Sequence, residues 1–159
     1  MGYRILIYLS ILLTFISCQN TEKEMKDGFY SNFSYGDIIR IPLIEPLELV
    51  SPDDGQNWFF KPVFNQLDNF NLEIDNVESY GVHDSLIVVY SKRLYIKSQM
   101  TEAWVVTDLS KEVERVFLTE KEYDSWIKSN DLDAIELYEC NEAFQYFKNN
   151  GKLKHKETE

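Results

Sequence analysis

The hydrophobic positions of this chain change period along its length, and the changes mark out its elements. Asp37-Ile38-Ile39-Arg40-Ile41 is a short β-rich run that Pro42 ends. Leu47-Glu48-Leu49-Val50 follows Pro46 and stops at the turn cluster Ser51-Pro52-Asp53-Asp54-Gly55. Phe70, Leu72 and Ile74 alternate with Asn69, Asn71, Glu73 and Asp75, the period of two that a strand with one wet face requires. Val77–Val82 and Leu86–Tyr90, parted by the polar break His83-Asp84, read as a hairpin. The second of these is the most continuous apolar run and is predicted to be the central strand. Leu94–Ile96, Ala103–Thr107 and Val113–Phe117 read as further strands.

The period then lengthens. Thr119-Glu120-Lys121-Glu122 has the form of a capping box, with Thr119 as cap and Glu122 reaching back. Tyr123, Trp126 and Ile127 follow at helical spacing. Leu132–Glu139 holds a short last strand. Asn141 is placed to cap a final helix that turns Ala143, Phe144 and Phe147 inward and stops at Asn150-Gly151. Strands first and helices last predict an α+β domain: a twisted antiparallel β-sheet of about six to eight strands, with two C-terminal helices packed on one face. With no βαβ alternation, the parallel-sheet nucleotide folds are disfavoured.

The N-terminus follows another pattern. Arg4 precedes an apolar run from Ile5 to Ile16, shorter than the roughly 20 residues a membrane-spanning helix needs and of the length found in secretory signals. Phe15-Ile16-Ser17-Cys18 resembles the bacterial lipobox, with Phe15 where Leu is commonest. The resemblance implies lipid transfer to the Cys18 sulfur, cleavage between Ser17 and Cys18, and acylation of the new amino terminus. The chain then divides into a lipoprotein signal over 1–17, a lipidated tether over 18–27 that is polar and charge-dense, a single domain over 28–154, and a charged tail over 155–159 expected to fray. Gln19 stands where Asp would be the familiar inner-membrane retention signal, so in a Gram-negative cell the outer membrane is favoured, with the domain facing periplasm or exterior.

Charge narrows the partners. The chain of 159 residues carries 16 Lys and Arg against 27 Asp and Glu. Removing its first 17 residues leaves 142 and takes away Arg4 but no acid, so the net charge moves from −11 to −12. Such a surface opposes nucleic acid, whose phosphates require clustered cations, and it opposes simple adsorption to an anionic membrane. The membrane contact expected is the lipid on Cys18. Lipidation consumes that thiol and leaves Cys140 as the remaining one, so the two cysteines do not imply a disulfide.

Candidate chemistry is sparse. His83, His155 and Cys140 are the soft metal ligands of the mature chain, and no two sit at turn or strand spacing, so no metal or other cofactor is expected. Asp53-Asp54-Gly55 has the turn of a calcium loop without its ligand spacing. His83-Asp84-Ser85 places three triad residue types in a row, but neighbours on a strand point to opposite faces, and a hairpin turn is the expected reading. Glu136 and Glu139 near Cys140 raise rather than lower a thiol pKa. More informative is Asn57-Trp58-Phe59-Phe60-Lys61-Pro62-Val63-Phe64. A strand buries alternate positions, so Trp58 and Phe60 cannot both share a face with Phe59. Core packing is the favoured use of these rings, and Trp58, Phe59 and Phe60 are the candidate interaction patch if some face outward. Phe29, Tyr30, Phe33 and Tyr35 raise the same question beside the tether.

Taken together, the lipobox, the acidic tether, Trp104-Val105-Val106-Thr107-Asp108-Leu109 leading to Thr119-Glu120-Lys121-Glu122-Tyr123, and the Glu142–Phe147 helix resemble the small lipoproteins of unknown function common in Bacteroidetes. The resemblance carries no catalytic residues with it. The function expected is a lipid-anchored, non-enzymatic envelope lipoprotein that contacts another protein, as an accessory subunit of an envelope complex or as an immunity-type protein. The alternative is an envelope hydrolase or carbohydrate-binding module with an acidic cleft lined by Trp58 or Trp104.

Overall fold

The computed structural model describes residues 28–61, 74–96, 99–132 and 135–157. The expected signal and tether, including Ser17 and Cys18, lie outside the described residues, as does the run from Asn69 to Glu73. The chain falls into two units, Met1–Asn32 and Phe33–Glu159. In the first, residues 28–31 are helical, and the Phe29 and Tyr30 rings meet edge-on at 4.9 Å.

The second unit is α+β, with every strand pairing antiparallel. Its strands divide between two sheets. A four-stranded sheet runs in chain order through β1 (Ser34–Tyr35), β2 (Ile38–Ile44), β3 (Leu47–Ser51) and β4 (Phe59–Phe60). A five-stranded sheet contains β5 (Val77–His83), β6 (Leu86–Ile96), β7 (Gln99–Asp108), β8 (Val113–Phe117) and β9 (Tyr138–Glu139), in the order β8-β7-β6-β5-β9. β6 is central, as its apolar run requires. The expected strand at Leu94–Ile96 is the continuation of β6, and among the described residues of the Leu132–Glu139 segment only Tyr138–Glu139 is strand. β2 runs on through Pro42 to Ile44, with an irregularity in its pairing between Pro42 and Ile44.

The helices α1 (Glu120–Ser129) and α2 (Cys140–Asn150) do not share a face. Cross-strand partners lie on the same side of a sheet, so Leu86, Val88, Trp104 and Val106 form one face of the five-stranded sheet. Tyr123 and Ile127 of α1 cover it. The opposite face carries Ile87, Val89, Val105 and Tyr80, and α2 lies on that edge, touching both β5 and β2. The cause is β6 itself: Ile87, Val88 and Val89 are all fully buried, so both of its faces need a covering layer. Further bonds stitch the sheets together. Val77 N–H donates to the Trp58 carbonyl at 3.0 Å, and Phe60 and Ile74 exchange backbone bonds of 2.8 Å each.

The helix termini show which caps the chain uses. Thr119 Oγ1 accepts from Glu122 N, and Glu122 reaches back to accept from Leu118 N, both at 3.2 Å. α2 differs from expectation: its cap is Glu139, which accepts from Glu142 N at 2.7 Å, and Asn141 lies inside the first turn. Gly151 closes this helix at φ 67°, a conformation glycine adopts without a Cβ clash. The tail is also corrected. Leu153 is buried, His155 is 2% exposed, and Lys154–Lys156 form a turn of 3-10 helix. Burial of these two side chains holds the segment down despite the lysines around them.

Gly81 of β5 shows how close the layers come. A Cβ there would stand 2.6 Å from the Glu136 carbonyl oxygen and 2.7 Å from Ile135 Cγ2. Because one obstacle is backbone, Gly81→Ala is expected to destabilise the domain by about 1–3 kcal/mol, the usual cost of overpacking. Urea denaturation of the variant beside the wild type checks this.

Candidate functional site

Two irregularities in the five-stranded sheet meet at one place. The register of β5 against β6 slips between Val77 and Ser79, and that of β6 against β7 slips between Ser91 and Leu94. Each slip is a bulge, which turns side chains out of the alternating pattern. The first presents Glu78 and the second presents Lys92 and Arg93. Ser91 secures the second bulge: its hydroxyl donates to the Asp75 carbonyl at 2.8 Å and accepts from Arg93 N at 3.2 Å. Lys92 Nζ then lies 2.5 Å from Glu78 Oε2.

These side chains form one wall of a cleft of about 490 Å³. The facing wall is the loop from Ser51 to Trp58, shaped by its own hydrogen bonds. Asp53 accepts from Ser51 Oγ and from Asn57 N, each at 2.8 Å, and its other oxygen accepts from Asn57 Nδ2 at 2.5 Å. The bonds from the Asn57 backbone and side chain, with that from Ser51, hold the Asp53 carboxyl below the ordinary carboxylate range. Gly55 follows at φ 88° and lies so near α2 that a Cβ would meet Asn141 Oδ1 at 2.8 Å. Asn141, expected as a cap, instead accepts from Trp58 Nε1 at 2.9 Å and fastens this loop to α2. Glu139 and Asn141 complete the lining.

The Trp58-Phe59-Phe60 segment splits as alternation demands. Trp58 is 2% exposed and Phe60 fully buried, so they belong to the core and the three rings do not make a surface patch. Phe59 is half-buried and faces the other way. Register places it beside Val50 and Arg40 on the outer face of the four-stranded sheet, where Ile38 and its partner Tyr35 continue the row. Tyr35 is 52% and Ile38 42% exposed. Arg40, buried on this face, pairs with Glu48 and lies 4.8 Å from the Tyr35 ring centre. Phe33 is partly exposed, and its ring packs edge-on against Phe144 and Phe147, each at 6.3 Å.

The other sequence candidates hold structural positions. His83 ends β5, and Asp84-Ser85 form the hairpin turn, Asp84 at φ 51°. His83 Nε2 is 3.8 Å from Asp84 Oδ2, and both side chains are solvent-exposed. Across from this turn, Asp108 accepts from Ser110 N, Ser110 Oγ and Lys111 N, with the Lys111 ammonium at 3.0 Å. Burial works to raise the Asp108 pKa, and these bonds and the cation outweigh it, leaving the carboxyl below its usual range. Cys140 begins α2 fully buried; burial first, then the charges of Glu139 and Glu78, push its thiol well up. Among the described residues no group of three His, Cys, Asp or Glu is placed to hold a metal ion.

No known family model, curated protein or solved structure matches this chain. What the sequence did not disclose is the cleft. Its signal was the Ser91-Lys92-Arg93 break in an otherwise apolar strand, which reads as a strand boundary and is a bulge.

His155 carries a pH consequence. Its ring stands edge-on to Tyr80, 5.6 Å between centres, with 3.4 Å between Tyr80 Oη and Nδ1. Burial, assisted by the charge of Lys156 and opposed by a backbone hydrogen bond with Leu43, lowers its pKa to about 4. In the unfolded chain the ring titrates at its ordinary value, about 6.5. Between these values the unfolded state binds a proton that the folded state does not. The contribution is therefore complete above about pH 6.5 and is lost as pH falls toward 4, to the extent of roughly 3 kcal/mol. Denaturation at pH 7 and pH 4.5 is expected to show a smaller acid loss in His155→Gln than in the wild type.

Proposed function

We propose that this chain is a lipid-anchored, non-enzymatic protein of the bacterial cell envelope whose domain docks a protein partner. The anchor rests on the Phe15-Ile16-Ser17-Cys18 lipobox behind its short apolar run, with Cys18 the lipidated residue. The docking role rests on one observation, the outer face of the four-stranded sheet. There the exposed Tyr35 and Ile38 adjoin the half-buried Val50 and Phe59, with Asp37 in the turn before β2 and, in β3, Glu48 paired with Arg40. An exposed apolar patch suits a protein partner, and the net charge of −11 would speed encounter with a basic one. An accessory subunit of an envelope complex and an immunity-type protein both fit this description.

A role without catalysis agrees with the state of the reactive groups. The Cys140 thiol is buried with its pKa raised, and the His155 imidazole is buried with its pKa lowered, so each is built into the core. The alternative of an aromatic-lined acidic cleft loses its stacking surface, because Trp58 is in the core and Trp104 lies beneath α1, its ring 6.1 Å from that of Tyr123.

The test separates anchor from docking. Cys18→Ala is expected to leave the membrane fraction, and unchanged fractionation would refute the anchor. Cross-linking in the native envelope is expected to join the intact protein to a basic partner at fixed stoichiometry. Tyr35→Ala with Ile38→Asp should lose that adduct while keeping the wild-type unfolding midpoint; an undiminished adduct would remove this face as the docking surface.

A further inference from the structure

The cleft between the Ser51–Trp58 loop and the two bulges has an unbalanced set of hydrogen-bonding groups. Its carboxylates are both engaged, Glu78 by the Lys92 ammonium and Glu139 by the backbone N–H of Glu142. Its donors are not. Arg93 is exposed, and among the described residues its guanidinium makes no ion pair. Asn141 spends its Oδ1 on Trp58 Nε1, which leaves its Nδ2 hydrogens for the cleft. Asn76 adds a second amide, on a residue held at φ 52° where the chain enters β5.

Charge and size narrow the ligand. In a chain with a net charge of −11, the bulge of β6 presents two consecutive cations, and one of them already neutralises the neighbouring acid. The site therefore offers a guanidinium fork beside a Glu78 already neutralised by Lys92, while Glu139 points one oxygen to the first turn of α2; such a fork takes a ligand carboxylate side-on. A volume of about 490 Å³ is far larger than a lone ion needs and lies in the range of organic-ligand sites. Apart from Trp58 and Val77 the walls are amide and charged groups. Asn76 supplies a donor and an acceptor from one rigid group, the pairing that ring hydroxyls use, and Asn141 adds a donor. An apolar ligand or an unfolded peptide segment would find little here to bury.

We infer that this cleft binds a carboxylate-bearing sugar, with Arg93 taking the carboxylate and Asn76 and Asn141 the ring hydroxyls. Binding is thereby assigned to amides and a guanidinium and not to a stacked tryptophan. The site shares no residue with the outer-sheet docking face, so either can fail without the other.

Calorimetric titration of the purified full chain in detergent tests it, with D-glucuronate, D-galacturonate and their short oligomers as probes and with glucose, acetate and inorganic phosphate as comparators. A uronate or its oligomer is expected to bind and glucose is not. Arg93→Gln should weaken uronate binding by roughly ten- to a hundredfold, the value of a charge-assisted hydrogen bond. Lys92→Gln should weaken it as well, by baring Glu78. Arg93→Lys, which keeps the charge and loses the fork, should fall between Arg93→Gln and the wild type; this second variant serves if the first fails to fold. The inference is overturned if no uronate binds at millimolar concentration, or if glucose binds equally well. Equal binding of acetate or phosphate, marking a general anion site, overturns the sugar assignment. Unchanged affinity in well-folded Arg93→Gln overturns the role of the guanidinium.

Discussion

The fold depends on a strand that is apolar on both faces. Leu86-Ile87-Val88-Val89 lies at the centre of the five-stranded sheet with each side chain buried, so neither face of β6 can be left to water. One face is covered by α1 through Tyr123 and Ile127. The other is where Tyr80 and α2 lie, on the side of β2 and the four-stranded sheet. Dividing the strands into two sheets and placing the helices on different faces both follow from this one requirement. At about 25 cal/mol per Å² of apolar surface, no local propensity in the chain competes with it.

The same strand changes role part-way along. Up to Tyr90 it is core; at Ser91 the register slips, and Lys92 and Arg93 turn outward. The strand therefore carries two charged side chains at its bulge, with ladder pairs to β7 before and after them. The facing loop is fixed just as firmly, by the Asp53 bonds and by Asn141 gripping Trp58. The cleft is thus framed by parts whose geometry does not depend on an occupant, which lowers the ordering cost of filling it.

Much of this was legible in the residues. Strand-type runs bounded by turn residues located β3, β5 and β8 to within a residue or two, and the capping box at Thr119 marked the start of α1, because those signals depend on near neighbours alone. Asn141 was misread because its amide serves as a cap in isolation and here finds a better partner 83 positions away in Trp58. The tail was misread for a similar reason: three lysines surround His155, and only the fold reveals the pocket beside Tyr80 that takes the ring. The Trp58-Phe59-Phe60 rings did not stay together on one surface because which face of β4 points inward is decided by its pairing with β3, information that no single run contains. Ser91-Lys92-Arg93 was legible as an interruption but not as a bulge, since telling the two apart requires the partner strand.

The outer edge of β5 is closed by distant pieces of chain. Tyr138 and Glu139 pair with it, and His155 rests on Tyr80 from 75 positions away. Contacts of such long range form late, because the loop between them must first be gathered in. During that interval β5 offers bare amides to any other extended chain, the circumstance in which unfinished sheets stick to one another. The excess of acidic residues takes on a further meaning in this light: copies of the chain repel one another whether or not the segment from Tyr138 to Lys156 is in place.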